Sequence, residues 1–146
     1  MKPTLVPGLE HTHVFTVPDE KTVPHLYPES DIFAAMPRVF ATGFMVGLVE
    51  WTCAELLRPH LDEGEGSLGV HIDLSHTAPT PPGMAVTVLA RLAEVDGRRL
   101  VFHVSALDEV EPIGEGRHER FVVDWDRFNA KLREKAARVG KRATKA

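Results

Sequence analysis

The stretch VFATGFMVGLVEWTCAELL, residues 39–57, decides the fold. Its apolar residues recur with a period near 3.6 and leave no consistently polar face, which predicts a helix that is apolar nearly all round. Pro59 stops it soon after. Such a helix has to be covered on most sides. Gly43 and Gly47 lie one turn apart and lower helix propensity. Their benefit would be close approach of another backbone, such as a sheet wrapped around the helix.

The residues that follow supply the sheet. In residues 68–76, Leu68, Val70, Ile72, Leu74 and His76 alternate with Gly69, His71, Asp73 and Ser75, and the first set is expected to face the helix. The turn TPPG (80–83) leads to a second inward face of Met84, Val86, Val88, Ala90 and Leu92. Asp96-Gly97 signals a hairpin, and Leu100, Phe102, Val104 and Ala106 form the third face. A last strand spans about 114–123, with no clear choice of face. Upstream, residues 11–17 alternate as a short strand. The proline-rich residues 18–38 read as an irregular excursion with one short helical turn, of the kind that serves as a lid. Asp124 or Asp126 would cap a C-terminal amphipathic helix that ends near Gly140, in a helix and basic tail covering about 126–146. This order predicts one α+β domain, an antiparallel sheet of about five strands wrapped around a long central helix, which is the hot-dog architecture. Five strands leave part of that helix bare, so a second subunit that extends the sheet, a homodimer, is expected.

The composition agrees with a single domain: 146 residues, 43% hydrophobic and 26% charged. These values exclude a disordered, collagen-like or coiled-coil chain. No apolar run approaches the ~18 residues of a membrane span, and the first residues lack the apolar core of a secretion signal. The lone Cys53 excludes an internal disulfide framework and a multi-cysteine zinc site. A cytoplasmic protein is expected. The net charge is −4, but residues 127–146 hold eight basic side chains against Glu134 alone, so the body is acidic. That argues against a general nucleic-acid surface.

Three residues stand out chemically. Glu50 lies within the most apolar segment, and its helical neighbours Val46, Gly47, Cys53 and Ala54 are uncharged. A buried carboxylate needs a partner or a raised pKa, unless it points outward through a gap in the apolar face. Thr42, two turns earlier, either serves its own helix start or meets a reacting group beside Glu50. His76 sits at a strand end on the expected inward face, as a core histidine or as a base. A hydroxyl, a carboxylate and a base together meet the needs of acyl transfer. Gly69, on the same strand as His76, could offer a backbone N–H to a thioester oxygen. His11 and His13 share a strand face but show no metal spacing.

Longer motifs carry a resemblance. HLYPES (25–30), VFATGFMVGL (39–48), Glu50-Trp51, GEGSLG (64–69), Thr77-Ala78, TPPG (80–83), GRR (97–99), HER (118–120) and FNAK (128–131) resemble the fluoroacetyl-CoA thioesterases of the hot-dog superfamily over roughly residues 8–135. The resemblance implies a homodimeric hydrolase of short acyl-CoA thioesters, with no cofactor beyond the coenzyme A of the substrate, no metal, no nucleic acid and no membrane partner. It implies a catalytic Thr42, Glu50 and His76, a backbone donor at Gly69, a lid aromatic at Phe33 and an arginine, Arg120, at the edge of the site. The second lid aromatic of the family falls at position 36, where this chain has Met36. Arg98, Arg99, Arg117 and the tail lysines are candidates for the CoA phosphates. Two other functions fit the same residues: a short-chain acyl-CoA thioesterase of broader specificity, and a protein that binds acyl-CoA without turnover.

Overall fold

The structure, a computed structural model, describes residues 1–145, with side chains to Gly140. Five strands form one antiparallel sheet: β1 (Glu10–Thr16), β2 (Glu65–Leu74), β3 (Ala85–Asp96), β4 (Arg99–Leu107) and β5 (Pro112–Asp124), in the order β1-β3-β4-β5-β2. The short helix α1 (Asp31–Ala34) lies in the excursion, α2 (Thr42–Leu57) is the central helix, and α3 (Trp125–Lys145) ends the described chain. The sheet curls around α2. Met45, Leu48, Val49, Cys53, Leu56 and Leu57 of α2 pack against Val86, Val88, Ala90 and Leu92 of β3 and Leu100, Phe102, Val104 and Ala106 of β4. Those are the two inward faces expected from alternation.

The central helix starts three residues later than its hydrophobicity implies. Residues 39–41 are not helical: Phe40 forms an isolated bridge with Thr22, and its N–H donates to the Thr80 carbonyl. Local apolar periodicity cannot see these long-range hydrogen bonds. The glycines also differ from expectation. A Cβ at Gly43 would press on the Leu26 side chain of the excursion, not on a backbone, while nothing in the chain lies within 4 Å of one at Gly47. Thr42, Gly43, Gly47 and Trp51 leave one flank of an otherwise apolar helix exposed. The excursion contains more structure than one turn, with two 3-10 turns (Asp19–Lys21 and Val23–His25) before α1.

β2 carries the main correction. Its pairing with β5 slips between Gly69 and His71, so Val70 is an extra residue with no cross-strand partner. A bulge reverses the parity of a strand. Ile72 and Leu74 face the helix as alternation implies. Before the bulge, Leu68 pairs with the half-exposed Phe121, and Val70 is 58% exposed. Ser67 and Gly69 point inward instead. In β5, Gly114, Gly116, His118, Arg120 and Val122 occupy the inner face. The two glycines let β2 cross closely: a Cβ at either would collide with the Asp73 or Ser75 carbonyl oxygen. Asp124, not Asp126, caps α3 by accepting from the Arg127 N–H at 3.1 Å. The helix starts at Trp125 and passes Gly140.

Candidate active site

Two clusters lie along α2. At its N-terminal end, Ala41 is the N-cap and no side chain caps the backbone. The Thr42 hydroxyl is therefore not spent on the helix start. It lies 2.8 Å from Nδ1 of His76, which arrives on the segment after β2. That segment is held by Ser75 and Thr77 N–H groups donating to the Glu115 and Ile113 carbonyls. Nε2 of His76 is buried and has no hydrogen-bond partner among the described residues. Burial holds the imidazole pKa below its ordinary value, partly opposed by the neighbouring Ala78 backbone. The pair lines a cavity of about 280 Å³ with Val23, Val39 and Phe40.

Two turns further on, Glu50 faces β2 and β5. Its side chain is 43% exposed, so it is not the deeply buried carboxylate that its neighbours in sequence imply. Its partner comes from 70 residues away: Arg120 Nη1 donates to Glu50 Oε1 at 3.2 Å. The guanidinium is itself buried and also donates to Ser67 Oγ and to the Ser67 carbonyl. A Cβ at Gly69 would collide with Glu50 Oε1, so only glycine lets the carboxylate rest against this strand. Glu50, Gly69, Val46, Ile72 and His118 line a cavity of about 410 Å³. By contrast, Glu55 is an ordinary surface residue that accepts from Arg58.

The structure thus joins Thr42 to His76, and Glu50 to Gly69 and Arg120, but leaves the two clusters as separate cavities in one chain. Phe33 and Met36 line neither. Phe33 sits in α1, its ring 6.1 Å from that of Tyr27, and Met36 is half-exposed. Of the cations considered for phosphates, Arg99 and Arg117 both pair with Glu119. Arg98 shares a cavity of about 240 Å³ with Arg127, Lys131, Phe121 and Phe128. Sequence reasoning missed His118, whose Nε2 lies 3.1 Å from Arg120 Nη1, and Ser67. The alternation Gly114, Gly116, His118, Arg120, Val122 in β5 carried the signal for the first.

Comparison with known proteins identifies the family. Residues 17–126 match the family of fluoroacetyl-CoA-specific thioesterases. The fluoroacetyl-CoA thioesterase of Streptantibioticus cattleyicolor is 57% identical over 135 residues, covering 92% of this chain and 97% of that one. A solved fluoroacetyl-CoA thioesterase variant in complex with fluoroacetate and CoA is 56% identical with a TM-score of 0.83, covering 85% of this chain and 99% of that one. A thioesterase superfamily member from Thermus thermophilus is 30% identical with a TM-score of 0.86, covering 97% and 99%. With the curled sheet, the central helix and the two polar clusters in place, these matches show that the chain belongs to the fluoroacetyl-CoA-specific thioesterase family, within the hot-dog thioesterases.

Proposed function

We propose that this protein hydrolyses fluoroacetyl-CoA to fluoroacetate and CoA, as a cytoplasmic homodimer that removes a toxic acyl-CoA. The observation that carries the proposal is the Glu50 carboxylate, held by Arg120 against a glycine strand at the wall of an open cavity. A protein that only sequesters acyl-CoA has no need of such a group. The name of the Streptantibioticus cattleyicolor relative, a fluoroacetyl-CoA thioesterase, supports the same substrate.

Glu50 either attacks the thioester carbon or draws the proton from an attacking water. Both routes pass through a tetrahedral oxyanion. The Gly69 N–H and the N-terminus of α2 supply donors for it. Collapse breaks the C–S bond, and the imidazolium form of His76 passes its Nε2 proton to the departing CoA sulfur; a proton given up by the hydrolytic water then returns to the ring. Thr42 orients that ring. If Glu50 attacks directly, water then hydrolyses the mixed anhydride and restores the carboxylate. The route calls on no cofactor beyond the CoA of the substrate.

The dimer follows from the same geometry. Thr42 and Glu50 are eight residues apart, about 12 Å along the helix axis, too far for one reacting carbon to touch both in one chain. β2 is an open edge of the sheet with Val70 exposed, and α2 turns the flank of Val46 and Glu50 toward it. A second copy continuing the sheet from β2 covers that flank and brings the two half-sites together across the two-fold. No helix among the described residues is long and apolar enough to cross a membrane.

Thiol release from fluoroacetyl-CoA and acetyl-CoA, followed side by side with the oligomeric state by light scattering, tests the proposal. A dimer that turns over the fluorinated substrate much faster supports it. Comparable rates on both substrates move the protein to the broader thioesterases, a reading that Met36 permits. Binding without release rejects catalysis, and an active monomer rejects the shared site.

A further inference from the structure

Arg120 fixes Glu50, and something must fix Arg120. A guanidinium has five N–H donors in a rigid fork. Four are assigned: Nε to Ser67 Oγ at 2.8 Å, Nη2 to the Ser67 carbonyl at 2.9 Å, and Nη1 to both Glu50 Oε1 and His118 Nε2. The contact to His118 is unusual, because an imidazole can receive such a bond in only one of its three states.

His118 is buried, and its ring stacks on Phe102 of β4 with centroids 6.4 Å apart. Its Nδ1 lies 2.8 Å from the His71 carbonyl oxygen, which only accepts, so Nδ1 carries the proton. Its Nε2 lies against Arg120 Nη1, which only donates, so Nε2 carries none. Both neighbours select the same neutral tautomer, and each ring nitrogen is satisfied by it. We propose that His118 is a positioning residue for thioester hydrolysis: a neutral imidazole that locks the Arg120 fork in the orientation that holds Glu50. This rests on the role of Glu50 proposed above.

Packing alone does not account for the residue. A phenylalanine would fill the same space against Phe102, but it would leave one Nη1–H and the His71 carbonyl unpaired. The charged groups facing the ring are Arg120 and Glu119 on β5 and Glu50 on α2. β4 contributes the Phe102 ring, and β2 contributes a carbonyl. Burial outweighs the two carboxylates and keeps the ring readily neutral. A proton on Nε2 would set two donors face to face and release the arginine.

The test uses the full-length enzyme. His118→Phe is expected to lower kcat about tenfold or more while KM stays within about threefold, because a mispositioned carboxylate harms the transition state more than binding. His118→Gln, whose amide oxygen can accept from Nη1, keeps at least about a third of kcat. With Arg120 already replaced, by Arg120→Met, His118→Phe costs less than about twofold more, since the two act as one unit. Equal losses in both backgrounds, or an unchanged kcat in His118→Phe, overturn the proposal. A second measurement needs neither turnover nor a folded His118 variant. Imidazole ¹⁵N spectra of the unmodified enzyme at pH 7 should show His118 as the Nδ1–H tautomer, with the Nε2 resonance moving in Arg120→Met. A protonated ring, the Nε2–H tautomer or an unmoved resonance overturns it. If the unmodified enzyme releases no thiol, the proposed function fails, and the spectra still decide this contact.

Discussion

At the N-terminal end of α2, Thr42 and His76 share one hydrogen bond, and the second imidazole nitrogen has no partner. Two turns on, Glu50 meets a guanidinium that is held by Ser67 and His118 as well. One cluster is left open and the other is nearly saturated. The difference follows from what each has to do. A group that carries a proton needs an unfilled valence facing the reaction, even though a buried unsatisfied nitrogen costs about 1–3 kcal/mol. A carboxylate that must meet a carbon at a fixed angle needs its rotamer set by neighbours. Stability favours the second arrangement, and the first fits the proton-carrying role proposed for His76.

The largest expected effect removes the charge from the saturated cluster. Glu50→Gln keeps the shape and still offers an oxygen to Arg120, so the fold should survive. The amide is neither a base nor a good nucleophile, and kcat should fall by about 10³-fold or more. A folded variant with near-normal kcat removes Glu50 from the chemistry. His76→Ala breaks the open cluster. Here kcat should fall about 10²-fold, with a smaller rise in KM, since proton transfer acts in the transition state. A change confined to KM leaves His76 as a packing residue.

Gly69→Ala sharpens the comparison without touching a polar group. The new methyl meets Glu50 Oε1 and comes 3.1 Å from His118 Cε1. The carboxylate is the mobile end of a side chain, so it yields and the backbone stays. We expect kcat to drop about tenfold from a displaced Glu50, with Tm nearly unchanged. A large loss of Tm would instead place the constraint in the sheet.

The two histidines link both clusters to pH. Burial lowers the pKa of His76 and of His118 from the ordinary 6.5, so the folded state resists their protonation more than the unfolded state does. Their contribution to stability is complete above pH 6.5 and is lost as pH falls through the folded values. Tm should therefore decline as pH falls from 6.5 toward the carboxylate range. The decline should be shallower in His118→Phe. A Tm that stays flat over that window shows that neither ring is protected by the fold.

Much of this molecule is legible from its amino acids, and the failures have physical causes. The inward faces of β3 and β4 follow from strict alternation, because both strands are central and their register shifts fall only beyond the inward set, after Leu92 and after Ala106. β2 defeats alternation because an edge strand tolerates a bulge, marked in the sequence only by the in-strand Gly69, and here one residue, Val70, is extra. That one residue decides that Gly69 faces Glu50. The partner of Glu50 could not be found on its own helix, since it comes from β5, across the fold. Thr42 and His76 were identifiable as residues, but their hydrogen bond depends on where the segment after β2 is pinned to β5.

The smallest expected effect concerns the lid. Acetyl and fluoroacetyl differ by one fluorine in place of hydrogen, and an apolar pocket separates such groups by only ~1–3 kcal/mol, or ~10–200-fold. Larger discrimination has to come from chemistry at the two clusters. Met36 lines neither cavity in the single chain and is half-exposed, so any effect it has on the acyl group would come through closure of the excursion. Methionine is flexible but still apolar, and it can close such a lid. Met36→Phe should therefore change the ratio of kcat/KM for fluoroacetyl-CoA over acetyl-CoA by less than about tenfold. Measuring both substrates before and after the substitution decides the matter. A rise of about tenfold or more would move the seat of selectivity from the polar clusters on α2 to the aromatic character of the lid.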